Sequence, residues 1–230
     1  MIHPDIHAML VRERSATLLA AAAADRRGRQ ARSAATAMSR AAANRTAINR
    51  TAPHPTAERG RVVLRDGSAV LIEPVRGADA PLLADGFARL SERSLRLRFL
   101  GRKRTMTEAD LRFFTDVDHR DHEALGALDH VRGGGVGIAR YVRDRENPAA
   151  AEIAVTIADD WQGRGLGTEL LARLAERARE EGIRRFTAVV ADGNAAASGL
   201  LRSSGASLVH RGSGIAEYEI DLDGTSSRAG

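Results

Sequence analysis

The sequence predicts an α/β domain over residues 58–222, behind an Ala/Arg-rich extension, 1–57, and ahead of a short flexible tail, 223–230. Three observations lead there. From Arg61 onward, segments of strand-like alternation and of helical periodicity follow one another with turn signals between them. One transition is abrupt: the alternating run Ala151 to Ala158 leads into the glycine-rich QGRGLG, 162–167, and then into a leucine stripe at helical spacing. The charge divides at the same boundary. Residues 1–57 carry nine Arg against Asp5, Glu13 and Asp25, a balance of +6, which leaves 26 basic against 27 acidic residues, −1, for residues 58–230.

The extension is rich in Ala, Arg, Ser and Thr and has no sustained apolar period after Gly28. It reads as flexible, with one Ala-rich helix available between Asp5 and Asp25. Leu18 to Ala24 is a weakly hydrophobic run with no cleavage context, so it does not read as an export signal. APHPT, 52–56, marks the linker.

In the domain, RVVLRDGSAVLIEPV reads as two strand pieces around the hairpin signal Asp66-Gly67. Gly77 to Leu90 is a helix, with Asp79 near its start and Leu82, Leu83, Phe87 and Leu90 at helical spacing. Thr107 to Asp116 is another, opened by Thr107 and Asp110 as a capping box. The segment between them is strongly basic, with Arg93, Arg96, Arg98, Arg102, Lys103 and Arg104; an exposed face, or attraction of cofactor phosphates or an acidic protein, explains it equally well. HEALGALDHV and VGIARYVRD are strands joined by RGGG. Beyond the central strand and helix, IRRFTAVVAD is a strand and Asn194 to Ser204 a short helix. SLVHR and IAEYEIDL close as a β-pair.

Composition excludes several classes. There is no Cys, hence no disulfide framework, thiol nucleophile or thiolate metal site, which fits a reducing cytoplasm. No apolar run reaches the length of a membrane span, and no membrane partner is expected. Aromatic residues are 3% of the chain, too few for stacking platforms, and the domain is neutral, so no specific nucleic-acid partner is expected.

The QGRGLG turn carries the chemistry. On the helix that follows, Leu166, Leu170, Leu171, Leu174 and Ala178 form one apolar stripe, so the turn joins a strand to a helix N-terminus. Glycines there admit a ligand to the backbone, and the free N–H groups of a first helical turn attract an anion, phosphate above all. A P-loop is excluded, since no Gly-Lys-Ser/Thr follows. A dinucleotide fingerprint fails because its third glycine would fall at Thr168, and because residues 159–162 separate strand from turn.

Gln162-Gly163-Arg164-Gly165-Leu166-Gly167 resembles the Gln/Arg-x-x-Gly-x-Gly/Ala signature of the GCN5-related N-acetyltransferases (GNAT). The order of strand, turn, helix, strand, Asn-led helix and Gly205 is similar as well. Residues from Leu95 to Leu128 are similar to the catalytic domain of bacterial protein-lysine acetyltransferases. The resemblance implies a mixed, mostly antiparallel sheet flanked by helices, with acetyl-CoA as cosubstrate and no metal. It implies that the strand before the signature splays from the next one and that pantetheine lies in the gap, against Val155, Thr156 and Ile157. The pyrophosphate would fall on the amides from Gly163 to Thr168, within a loop opened by Gln162 and containing Arg164, Gly165, Leu166 and Gly167. Asn194 and Ser198 would lie beside the pantetheine arm.

An amine acceptor needs a base, since a lysine ammonium has a pKa of about 10.4 and attacks nothing while protonated. The resemblance assigns that role to Glu152, which alternation puts on one face with Ala154, Thr156 and Ala158; an ordinary exposed Glu at a strand start is the plain alternative. Where many relatives carry a Tyr that serves the departing thiolate, this chain has Leu201, so no acid is assigned. A free thiol's pKa of roughly 8.5 makes the thiolate a tolerable leaving group unaided. Ala206 replaces the usual aromatic after Gly205. His119 and His122 lack the further ligands a metal needs, Asp118 is a groove-shaping or a loop acid, and Trp161 is a surface or packing residue beside the turn, not a catalytic one. The expected activity is acetyl transfer from acetyl-CoA to a protein lysine or, alternatively, a small amine. A non-catalytic acyl-CoA-binding module is the third reading, and the oligomeric state is left open.

Overall fold

The computed structural model describes residues 60–99 and 105–224. The extension 1–57, the basic residues Arg102, Lys103 and Arg104, and the tail beyond Gly224 lie outside the described residues.

Strands β1 (Arg61–Val63) and β2 (Ala69–Pro74) form the expected antiparallel hairpin. Its turn is closed by the Leu64 N–H donating to Ser68 O at 2.8 Å and by the Asp66 carboxylate accepting from Ser68 N–H at 3.0 Å. A single helical turn, Gly77–Asp79, leads into helix α1 (Ala80–Ala88), with the Asp79 carboxylate accepting from Arg76 N–H at 2.8 Å. The basic segment folds its first half into a separate helix, α2 (Glu92–Phe99). Helix α3 (Glu108–Thr115) has the capping box its sequence announces: the Thr107 hydroxyl accepts from Asp110 N–H at 3.1 Å, and the Asp110 carboxylate accepts from Thr107 N–H at 2.9 Å.

The remaining elements follow the expected order. They are β3 (His122–Asp129), β4 (Gly135–Arg143), β5 (Ala150–Ile157), α4 (Leu166–Glu180), β6 (Arg185–Ala191), α5 (Ala195–Ser203), β7 (Ser207–Gly212) and β8 (Ile215–Asp221). One sheet holds all the strands, in the order β1-β2-β3-β4-β5-β6-β8-β7. Every neighbouring pair is antiparallel except β5 and β6, which run parallel because α4 provides the crossover between them.

Helix α4 buries the whole predicted stripe, Leu166, Leu170, Leu171, Leu174 and Ala178, against the sheet. At Gly137 of β4 an added Cβ would stand 2.9 Å from the Ile157 side chain and 3.2 Å from Leu166 and Leu170, so a glycine there lets the helix lie close on the strands. Helices α1, α2 and α3 gather on the opposite face, where Ile138, Arg140, Ala154 and Thr156 point. The α1 stripe differs from expectation. Only Phe87 is buried, and it lines a cavity together with Leu82, Leu83 and Leu90. No helix among the described residues is long and apolar enough to cross a membrane.

Candidate active site

The parallel pair β5–β6 is in register only over Ala150 to Glu152 against Arg185 to Thr187. Beyond that point the strands part, although β5 stays paired with β4 as far as Ile157 and β6 with β8 as far as Ala191. A notch results in which β5 from Ile153 to Ile157 has no neighbour on its β6 side among the described residues. Backbone groups along such an edge are donors and acceptors for an extended ligand. Glu152 is the last paired residue of β5 and therefore stands at the fork.

At the mouth of the notch lies the glycine turn. After β5 the chain makes one 3₁₀ turn, Asp159–Trp161, whose Trp161 is buried in the core. Gly163 and Gly165 follow at φ 77° and 92°, the left-handed region where a side chain is strained, and Gly165 caps α4. The Gln162 N–H donates to Asp159 O and the Glu169 N–H to Gly165 O. The amides of residues 163–168, between these two, have no partner among the described residues. They form a concentrated set of donors at the positive end of a helix.

The side chains of the loop are mostly spent on holding its shape. The Gln162 amide donates to Ile157 O at 3.2 Å, and Arg164 donates to Asp160 O at 2.7 Å, pairs with Asp66 of the β1–β2 turn at 3.1 Å and stacks over Trp161. Leu166 has its side chain in the core and offers only its backbone, whereas Thr168 is exposed. Arg65, on the same hairpin turn as Asp66, runs its side chain 3.5 Å from where a Gly165 Cβ would sit. Asn194 caps α5, its side-chain oxygen accepting from Ala197 N–H at 3.1 Å, and Ser198 is buried one turn on. Both border a small cleft with Asp192, Gly193 and Arg202.

On the other face of β5 is a cavity of about 120 Å³. Its walls include Leu82 and Phe87 of α1, Phe99 of α2 and Phe114 of α3, and its floor includes Ala154 and Thr156. Helix α2 is clipped over it at both ends. Asp159 accepts from Ser91 N–H at 2.8 Å and from the Ser94 hydroxyl at 2.5 Å, while Arg98 Nε donates to the Thr156 hydroxyl at 3.0 Å. Burial works to raise the Asp159 pKa, but the bonds from Ser94 and Ser91 outweigh it and hold the carboxyl below the ordinary range. Of the two readings of the basic run, an exposed face fails at Arg98, which turns inward, with burial lowering its pKa and the charge of Glu152 acting against that.

Arg140 was not legible as a site residue, although it shares an alternation with Val136 and Ile138 that is otherwise apolar. It is 5% exposed. Its guanidinium donates to Phe114 O at 2.7 Å, lies 3.2 Å from His122 Nε2 and stacks on the Phe114 ring at 4.3 Å. Burial, with the Arg98 charge adding to it, pushes its pKa down to about 9.

The β3 entry loop is structural. Asp118 accepts from the backbone N–H groups of Arg120, Asp121 and His122 at 2.9–3.0 Å. Glu123, also unanticipated, is a carboxylate 1% exposed that meets His119 Nδ1 at 2.7 Å, Ala124 N–H at 2.9 Å and Arg177 Nε at 3.4 Å. His119 is thereby engaged within the fold.

The residues fit acetyl-CoA. An elongated thioester carrying phosphates matches a strand edge that ends at a set of free amides. The sequence model described as "Acetyltransferase (GNAT) family" matches residues 92–206. The chain is 32% identical over 161 residues to acetyltransferase Pat of Mycolicibacterium smegmatis, covering 70% of this chain and 48% of that protein. It is 38% identical over 135 residues to acetyltransferase PA5475 of Pseudomonas aeruginosa, covering 58% of this chain and 72% of that protein. The chain spans about half the length of the first of these relatives. Among solved structures, the GNAT domain of S. lividans PAT is similar with a TM-score of 0.66 at 31% identity, over 70% of this chain and 95% of that one.

Proposed function

The chain belongs to the GNAT acetyltransferase family, and from that premise we propose that it transfers acetyl from acetyl-CoA directly to a primary amine, a protein lysine, with Glu152 as general base. The observation that carries the reading is the coincidence of the parted β5–β6 strands with the free amides of residues 163–168. Backbone of Val155, Thr156 and Ile157 would hold the pantetheine arm, the amides from Gly163 to Thr168 the pyrophosphate, and Asn194 with Ser198 would flank the arm. Bound there, acetyl-CoA supplies an acetyl group activated as a thioester.

Glu152 is exposed at the fork, on the β5 face that also carries Ala154 and Thr156 at the cavity floor. An amine entering from the cavity meets that carboxylate, which takes up its ammonium proton and frees the lone pair for attack. With Leu201 buried in the core, the departing thiolate is given no side-chain acid from that position. The lining of the cavity, apolar and aromatic with a few polar groups, favours a second reading, a small-molecule amine.

Replacing Glu152 by Gln keeps the shape and removes the base. The expected result is a loss of about 100-fold or more in acetyl-transfer rate at neutral pH with acetyl-CoA affinity kept. A rate near that of the unaltered protein would remove Glu152 from the mechanism. Rates on purified acceptor proteins against a panel of small amines separate the two acceptor classes.

A further inference from the structure

The cavity under α1, α2 and α3 carries a charge pattern for which acetyl transfer to a simple amine has no use. Arg140 and Arg98 both line it. Arg140 is nine-tenths buried, held by a carbonyl, an imidazole and aromatic rings, and no carboxylate lies within ion-pair distance of it among the described residues. Arg98 is hydrogen-bonded to a neutral hydroxyl and adds a like charge. The acids on the cavity wall do not neutralise the pair: Glu73 is solvent-exposed, and Asp79 has its carboxylate on Arg76 N–H. Glu152 acts on Arg98 from the strand fork.

Burying a cation such as Arg140 without a counter-ion is costly, and the charge of Arg98, which itself interacts with Glu152, adds to that cost. An anion bound at Arg140, within reach of Arg98, lowers that cost. In a cavity otherwise walled by Leu82, Phe87, Phe99 and Phe114, the matching anion is small and planar, since a guanidinium presents paired N–H groups at carboxylate spacing.

We propose that the cavity is a carboxylate subsite, and that the acceptor amine carries a carboxylate a few bonds away, held by Arg98 and Arg140. This rests on the acetyltransferase reading for its purpose. The carboxylate has two sources, an acidic side chain next to a protein lysine or the α-carboxylate of a free amino acid.

The test begins with calorimetric titration of the protein, with and without saturating acetyl-CoA, by glutarate and by glutaramide, which shares its skeleton without the charge. The expected result is saturable binding of glutarate at least about tenfold tighter than glutaramide, abolished in R98Q and weakened in R140K, which keeps the charge but loses the fork. Equal binding of the two probes, or glutarate affinity unchanged in R98Q, overturns the proposal. Turnover then identifies the source, with L-amino acids compared with their carboxamides and lysyl peptides bearing Glu compared with those bearing Gln. The carboxylated member should lead in kcat/KM in one arm, by a ratio that collapses in R98Q; parity in both arms also overturns the proposal. A protein that fails to bind acetyl-CoA at all defeats the acetyltransferase reading instead, and the glutarate titration still decides the cavity.

Discussion

Two glycines bracket α4 in the same left-handed backbone, and replacing each by Ala separates strain from ligand binding. Gly165 opens the helix at φ 92° and Gly182 ends it at φ 76°. A Cβ on Gly165 would find its nearest atoms at 3.5–3.6 Å, on the Arg65 side chain, and one on Gly182 would meet nothing within 4 Å, so neither change adds a steric clash. What remains is the left-handed penalty of roughly 1–2 kcal/mol for a residue with a Cβ. For a domain of this size that corresponds to a fall in Tm of about 2–8 °C, similar in both variants. Their ligand behaviour should differ. Any relaxation at Gly165 turns the amides of the cradle, and misaligning one charge-assisted bond to a phosphate, worth about 1.5–3 kcal/mol, raises the Kd for acetyl-CoA roughly 10- to 100-fold. Gly182→Ala should bind as the unaltered protein does. Thermal unfolding and calorimetric titration with acetyl-CoA, with NAD as control ligand, read the two quantities separately. If Gly165→Ala lost stability yet bound acetyl-CoA unchanged, the turn would be a connection and not a cradle. Unchanged Tm in both would refute the strain argument itself.

Asp118 has its pKa raised by burial but lowered further by the amides of His122, Arg120 and Asp121, ending below the ordinary carboxylate range. A carboxyl lowered in the folded state stabilises above its unfolded pKa of about 3.9 and stops doing so as the pH falls through the folded value. Asp118→Asn should therefore be destabilising at neutral pH, with the gap to the unaltered protein closing in urea titrations carried below about pH 4. Glu123→Ala strips partners from Ala124 N–H, His119 and Arg177 in a buried place and should cost about 2–4 kcal/mol in urea unfolding, with acetyl-CoA affinity of the folded protein kept.

Much of the fold was legible because local rules and the global fold agree. The Asp66-Gly67 hairpin, the Thr107 capping box and the α4 stripe each announce themselves within a few residues, and each is realised. The proposed cradle is legible for the same reason: a helix start and its glycines are consecutive in the chain. The stripe of α1 and the basic run misled in part, because periodicity reports which residues share a face and not what that face meets. Leu82 and Leu83 meet a cavity, and Arg98 turns to Thr156, 58 positions away.

By itself the sequence determined the order of the strands and of every helix but α2, the glycine turn at 162–167, and the family to which that turn points. Only the tertiary structure decided that β5 and β6 part after Glu152, that α2 is clipped over β5 by Asp159 and Arg98, and that Arg140 is buried beside a second cation. The physical reason is range. Capping, turn geometry and amphipathic spacing act over a few residues, whereas burial and charge pairing depend on groups brought together from distant parts of the chain.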